Sequence, residues 1–168
     1  MKGDPKVIEY LNGALRNELT AINQYFLHYR LLEHWGVARL ARYEYEESID
    51  EMRHADWLSA RILFLGGLPN FQLLGRLRIG EDVKEVLESD LALEAEAIEL
   101  LREGIAHAEA TRDFASRDLL QRILQSEEHH VDVIETQLEM IGRMGLENYV
   151  QLQSAPIGAR SEAAAPDA

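Results

Sequence analysis

The sequence holds no cysteine and only four prolines among its 168 residues. Without cysteine there is no disulfide framework, thiolate zinc site, catalytic thiol or cysteine-held iron–sulfur cluster. Basic side chains are also scarce: 17 Lys and Arg face 30 Asp and Glu, a formal net charge of −13. Nucleic-acid affinity is built from Lys and Arg neutralising phosphates, so no nucleic-acid partner is expected. The balance suits a protein that attracts cations. No run approaches the roughly 20 apolar residues that span a bilayer. The opening MKGDPKVIEY has no signal-peptide core, and a cytoplasmic protein with no membrane contact is expected.

What remains is ordinary globular composition, 46 % hydrophobic and 28 % charged, enough for one domain. The prolines stand at 5, 69, 156 and 166, which leaves two long stretches without the strongest helix breaker. Asp4-Pro5 reads as a cap and first helical residue. From there Val7, Leu11, Leu15, Ile22, Phe26 and Tyr29 recur at the helical period until Trp35-Gly36. A second helix is expected from Val37 to Leu65, ending at Gly66-Gly67. Residues 66–81 combine four glycines and a proline with Phe71, Leu73, Leu74, Leu77 and Ile79, and are expected to form a long crossover lying on apolar surface. Asp82 with Glu85 resembles a capping box opening a third helix at Val83. A break near Thr111–Phe114 separates it from a fourth helix that runs to Met144 and stops at Gly145. A short fifth helix over Leu146–Gln153 follows. These elements predict an all-α four-helix bundle with one long crossover and a short C-terminal helix over residues 1–155. A disordered tail is expected over 156–168.

The informative residues are acidic ones inside these helices. Glu51-Met52-Arg53-His54 and Glu127-Glu128-His129-His130 are both Glu-x-x-His, and residues three apart lie on nearly one helix face. The first and third helices each offer a single Glu among apolar neighbours, Glu18 and Glu94. Glu18 and Glu94, Glu51 and Glu127, and His54 and His130 are all separated by 76 residues. The same offset relates Leu15 to Leu91, Ala21-Ile22 to Ala97-Ile98, Asp56 to Asp132, and Gly66 to Gly142. The chain thus reads as two related helical hairpins. One Glu-x-x-His alone would be a common surface accident. Two of them, with a Glu in each remaining helix at one shared offset, point to a buried site. Four carboxylates in a core need compensating charge, which two cations supply.

With these residues in place the sequence resembles bacterioferritin over about residues 1–155. One Glu from each of two helices and Glu-x-x-His from the other two is the pattern of ferritin-like di-iron bundles. Other ferritins generally lack the second His on the fourth helix, and rubrerythrins add a cysteine-rich domain that this chain cannot have. The resemblance implies a di-iron ferroxidase centre. Glu51 and Glu127 would bridge two irons, Glu18 with His54 completing one and Glu94 with His130 the other. It further implies Met52 as an axial ligand to a haem b shared between two subunits, with Leu19, Ile22, Asn23 and Phe26 flanking it. Tyr25 would stand beside the di-iron centre as an electron donor, and Asn148 and Gln151 would line a fourfold channel. Glu46 stands where some members have His, so an inner-surface iron site that uses that His is not expected. The implied activity is oxidation of Fe(II) by O₂ or H₂O₂ and storage of a ferric mineral. The implied assembly is a 24-subunit cage, homo-oligomeric or with a sister subunit, served by a small electron-donor protein. Rival readings are a manganese catalase or oxygenase on the same bundle, a DNA-protecting cage, and a plain helical scaffold. His28, His34, His107 and His129 show no singular spacing, and Glu44–Glu47 reads as a solvated run.

Overall fold

The computed structural model describes residues 1–156; the expected tail beyond Pro156 lies outside the described residues. Five helices and no strand are found among them: α1 (Pro5–His34), α2 (Ala38–Phe64), α3 (Val83–Ala110), α4 (Phe114–Met144) and α5 (Leu146–Gln153). Their ends follow from local chemistry. The Asp4 carboxylate accepts from Lys6 N and Val7 N, and Asp82 accepts from Lys84 N and Glu85 N, each satisfying amides that an open helix start leaves unpaired. Glu85 reaches back one residue further than a capping box requires, accepting from Glu81 N at 2.9 Å. Gly145, at φ 82°, turns α4 into α5 in a conformation that side chains rarely adopt.

α1 packs on α2 and α3 on α4 as two hairpins, joined side by side through α1 and α3. The buried interior has three layers. An apolar cluster at one end draws Val7, Leu11 and Leu15 from α1, Leu58 and Ile62 from α2, Leu101 from α3, and Leu120 and Ile123 from α4. A second, at the other end, contains Leu32, Leu40, Val86, Leu87, Ile134 and Tyr149. Tyr149 brings α5 over that end and donates to Gln137 at 2.8 Å. Each fully buried Leu or Ile contributes about 1.5–3 kcal/mol, so the two plugs supply much of the favourable term. Between them lie Glu18, Glu44, Glu47, Glu51, His54, Asp90, Glu94, Glu127 and His130, all buried.

The crossover differs from expectation. Its apolar side chains are not laid on the bundle: Leu68, Phe71, Leu73, Leu74, Leu77 and Ile79 are exposed. Instead, polar side chains of α1 hold its backbone. Asn12 accepts from Asn70 N at 2.8 Å and donates to Leu68 O at 3.3 Å; Thr20 accepts from Gly75 N at 2.8 Å. Gln24 accepts from Arg78 N at 2.9 Å and His28 Nε2 accepts from Gly80 N at 3.1 Å. Spacings of four and eight place these groups along one slanting ridge of α1. Four of the strap's amides are satisfied there, and its large apolar side chains turn outward.

The 76-residue offset survives in the interior and fails at the helix ends. Gly66 takes φ 80° in the turn after α2, whereas Gly142 sits inside α4, which runs further than its counterpart. Gly104 serves close packing: a Cβ there would lie 3.1 Å from Leu120 Cδ1 and 3.3 Å from Tyr10 Cβ.

Candidate metal centre

Each of the four long helices sends at least one carboxylate into the middle layer, and α2 and α4 add an imidazole one turn after Glu51 and Glu127. Glu18, Glu51, His54, Glu94, Glu127 and His130 are each 4 % exposed or less. The structure brings all six together as two overlapping groups. Ligand atoms of Glu18, Glu51, His54 and Glu127 lie within 4.8 Å of one another, as do those of Glu51, Glu94, Glu127 and His130. Glu51 and Glu127 belong to both groups, the arrangement expected of shared carboxylates between two cations.

The distances describe convergence on points rather than pairing. His54 Nδ1 lies 3.2 Å from Glu18 Oε2, 3.1 Å from Glu51 Oε2 and 3.2 Å from Glu127 Oε1. His130 Nδ1 lies 3.2, 3.0 and 3.5 Å from oxygens of Glu51, Glu127 and Glu94. One N–H cannot aim at three acceptors. Accordingly Glu51 Oε1, both oxygens of Glu127 and His130 Nδ1 have no aligned hydrogen bond, although all are buried. Orphaned buried polar atoms cost roughly 1–3 kcal/mol each, more when charged. A cation at each focus satisfies the surrounding atoms at once. Carboxylate oxygen and imidazole nitrogen suit iron in both oxidation states, so the donor set fits the expected metal.

Without metal the layer settles its charge with protons. Burial, and then the Glu51 and Glu127 carboxylates, pushes Glu18 well above the usual range; burial and Glu127 do the same to Glu94. Burial opposes ionisation of Glu51, but the Glu18 carboxyl and the His130 and His54 imidazoles beside it hold it well below that range. Burial would lower His54, yet the Glu127, Glu18 and Glu51 carboxylates push it up to about 12.

The two halves of the centre are unequal. Tyr25, fully buried, donates to Glu94 Oε1, and burial followed by Glu94 raises its phenol. Glu47 approaches His130 Nε2 at 2.5 Å. At the 76-residue offset these positions become Leu101 and Ile123, both in an apolar cluster. The Glu18–His54 half therefore lacks the phenol and the extra carboxylate found beside Glu94 and His130.

Glu44 and Glu47 correct the expectation of a solvated run: both are buried. His28, unremarkable by spacing, is also fully buried. Its Nδ1 lies 2.9 and 3.0 Å from the Asp90 oxygens, and Asp90 also accepts from Gln24 at 2.8 Å. With Nε2 accepting from Gly80 N, Nδ1 must carry the proton, so this imidazole offers no free lone pair. Spacing could have found part of this group, since Glu47 precedes Glu51 by one turn, Glu44 by two, and Asp90 precedes Glu94 by one. His34 and His129 are exposed, and His107 Nε2 lies 3.1 Å from Asp4 at the bundle end.

The remaining expected residues lie away from this layer. Met52 is 51 % exposed, one residue past Glu51 and facing outward. Ser48 donates to Ile22 O at 3.0 Å, which levels α2 with its antiparallel neighbour. Met52 then stands beside the stretch of α1 that carries Leu19, Ile22, Asn23 and Phe26. Of these, Leu19 and Ile22 are half-buried while Asn23 and Phe26 are exposed. Asn148 and Gln151 are exposed on α5, Asn148 donating to Met144 O at 2.7 Å.

A helical bundle with buried carboxylates from four helices and an imidazole on two of them defines a ferritin-like protein, and residues 8–144 match the family described as Ferritin-like domain. The chain is 50 % identical over 159 residues to the bacterioferritin of Rhodobacter capsulatus, covering 95 % of this chain and 99 % of that one. It is 52 % identical over 156 residues to the bacterioferritin of Brucella melitensis, covering 93 % and 97 %. Against the bacterioferritin of Streptomyces coelicolor it is 49 % identical over 163 residues, covering 94 % and 98 %. The chain belongs to the bacterioferritin family.

Proposed function

We propose that the chain is an iron-storage subunit with ferroxidase activity. The observation that carries this reading is the set of orphaned ligand atoms on Glu51, Glu127 and His130, with Glu51 and Glu127 common to both ligand groups. Two Fe(II) ions are the substrate. Glu18 with His54 holds one, Glu94 with His130 the other, and Glu51 and Glu127 bridge them. Each iron gives one electron, and the pair passes to O₂ or H₂O₂ without release of a one-electron radical. The side chains place the ions and balance their charge; the metal supplies the redox chemistry. Tyr25 orients Glu94 through its hydroxyl and is placed to supply an electron when a turnover lacks one. Ferric product is stored as mineral within a 24-subunit cage, homo-oligomeric or with a sister subunit, in the cytoplasm.

The exposed thioether of Met52 fits a haem b ligand shared by two chains, with Leu19, Ile22, Asn23 and Phe26 as its surroundings. Such a haem would carry electrons from a small donor protein toward the mineral for release. Asn148 and Gln151 are assigned to a fourfold channel, and residues 1–155 to the bundle domain.

Anaerobic titration with Fe(II) tests the reading. About two irons per chain should bind before any mineral forms, and admission of oxygen should consume the oxidant with loss of Fe(II). Binding of manganese in preference to iron would point to a different di-metal enzyme, and absence of oxygen uptake to a scaffold.

A further inference from the structure

The outward side of His54 opens on a cavity of about 340 Å³ between α2 and α4, lined by Asp50, Arg53, His54, Trp57, Arg122 and Ser126. One water occupies about 30 Å³ of liquid, so the space holds a small ion with several waters. Its chemistry is unusual for so acidic a chain. The Arg122 guanidinium lies 4.0 Å from the centre of the Trp57 ring. Stacking uses the flat face of a guanidinium and leaves its five N–H donors, all in the plane, for a ligand. No carboxylate pairs with Arg122 among the described residues, whereas Arg61, Arg102 and Arg117 each meet one. Arg53 gives one of its nitrogens to Asp50, which leaves further donors on the same guanidinium. The half-buried Ser126 adds a hydroxyl. The cavity wall therefore carries two guanidinium charges against one carboxylate. One of those guanidiniums is held in place by an indole rather than by an acid.

We propose that this cavity binds a small inorganic oxyanion, with Arg122 as the principal contact and Arg53 and Ser126 as supporting donors. A guanidinium fork matches two oxygens of a tetrahedral oxyanion. Trp57 orders Arg122 in advance, so little side-chain freedom is lost on binding. The site sits one aromatic ring from the metal centre, the Trp57 and His54 ring centroids being 5.5 Å apart. An anion held there would attract cations into the centre, and cations there would strengthen the anion in equal measure, as linkage requires. That coupling rests on the di-metal reading. The binding itself does not.

Metal-free, full-length protein titrated with inorganic phosphate tests the site. Only two tryptophans are present, so a Trp35→Phe background leaves Trp57 as the fluorescent reporter. A saturable change in emission is expected, with about one phosphate per chain by equilibrium dialysis and displacement by sulfate. Arg122→Gln should weaken binding by about tenfold or more, the scale of a lost charge-assisted hydrogen bond. Arg122→Lys should restore it only in part, because an ammonium neither stacks nor binds two oxygens in a plane. Circular dichroism confirms that these exposed variants are folded. A linear response shared by all variants is an ionic-strength effect and overturns the proposal. So does saturable binding that neither Arg122→Gln nor Arg53→Gln alters. Phosphate binding that persists in Glu18→Ala while iron oxidation proves absent even from wild type would separate this site from the ferroxidase reading.

Discussion

Loading the metal centre should expel about four protons for each pair of divalent cations. In the metal-free protein four groups hold them. Glu18 and Glu94 are raised well above the ordinary carboxylate range, chiefly by burial. His54, pushed up to about 12 by Glu127, Glu18 and Glu51 against the effect of burial, stays protonated near neutrality. His130 is raised in the same way by Glu127, Glu47, Glu51 and Glu94. Each must give up its proton to offer a lone pair to a metal. Four protons leaving as two divalent ions enter keeps the buried charge constant, which spares the layer the cost of an uncompensated charge in low dielectric. The sign follows from the direction of release: binding frees protons, so it weakens as pH falls. While all four groups remain protonated, the logarithm of the two-ion association constant rises by about 4 per pH unit, roughly 10⁴-fold between about pH 6 and pH 7. Zn(II), which has no redox chemistry, is the suitable probe. Calorimetric titration in buffers of differing ionisation enthalpy reads the proton count directly. Release of fewer than about one proton per pair, or an affinity that is flat across that interval, would refute the reasoning.

Other outcomes follow from the same geometry. Glu94→Ala or His130→Ala should slow Fe(II) oxidation by at least about 10–100-fold, the loss seen when a group merely supporting a ligand is removed, while the helical circular dichroism persists. Met52→Leu should abolish any haem absorption band and leave the oxidation rate unchanged; a retained band would remove Met52 as ligand. Asp90→Ala strands the buried Gln24 amide and His28 Nδ1–H, each worth about 1–3 kcal/mol, and should lower the melting temperature. Glu44→Gln should be milder than Asp90→Ala in the same melt. Burial and then Asp90 push Glu44 well above the carboxylate range, and a neutral amide replaces a neutral acid there.

The convergence of the six expected residues was legible because one offset related three pairs of them. Carboxylates at a common offset, inside helices with clear ends, could only converge if those helices packed with their stripes inward. Helix boundaries were legible for a similar reason, since Asp4, Asp82 and Gly145 are strong local signals. The crossover was not. Its apolar residues suggested burial, but a strap without regular structure must first satisfy its amides, and the groups that do so lie more than fifty residues away on α1. Glu44 and Glu47 were missed because an acidic run resembles a solvated face. Only the facing helices reveal that two members of the run point inward. The inequality of the two halves was hidden by the offset itself, which matches the ligands and is silent about Tyr25 against Leu101.

α1 is locked in register from two sides. One set of its residues, Glu18 and Tyr25, addresses the centre, while Asn12, Thr20, Gln24 and His28 grip the strap. Inserting a single residue between Asn12 and Glu18 would rotate everything on one side of it by about 100° relative to the other and shift it by about 1.5 Å. Asn12 would then be out of phase with Glu18, Tyr25 and the rest of the clasp. Variation in length should be tolerated instead near Phe71–Leu74, between the grips of Asn12 and Thr20, or in the turn at Trp35-Gly36. Homologous chains of differing length should accordingly differ at those junctions and keep the span from Asn12 to His28 constant.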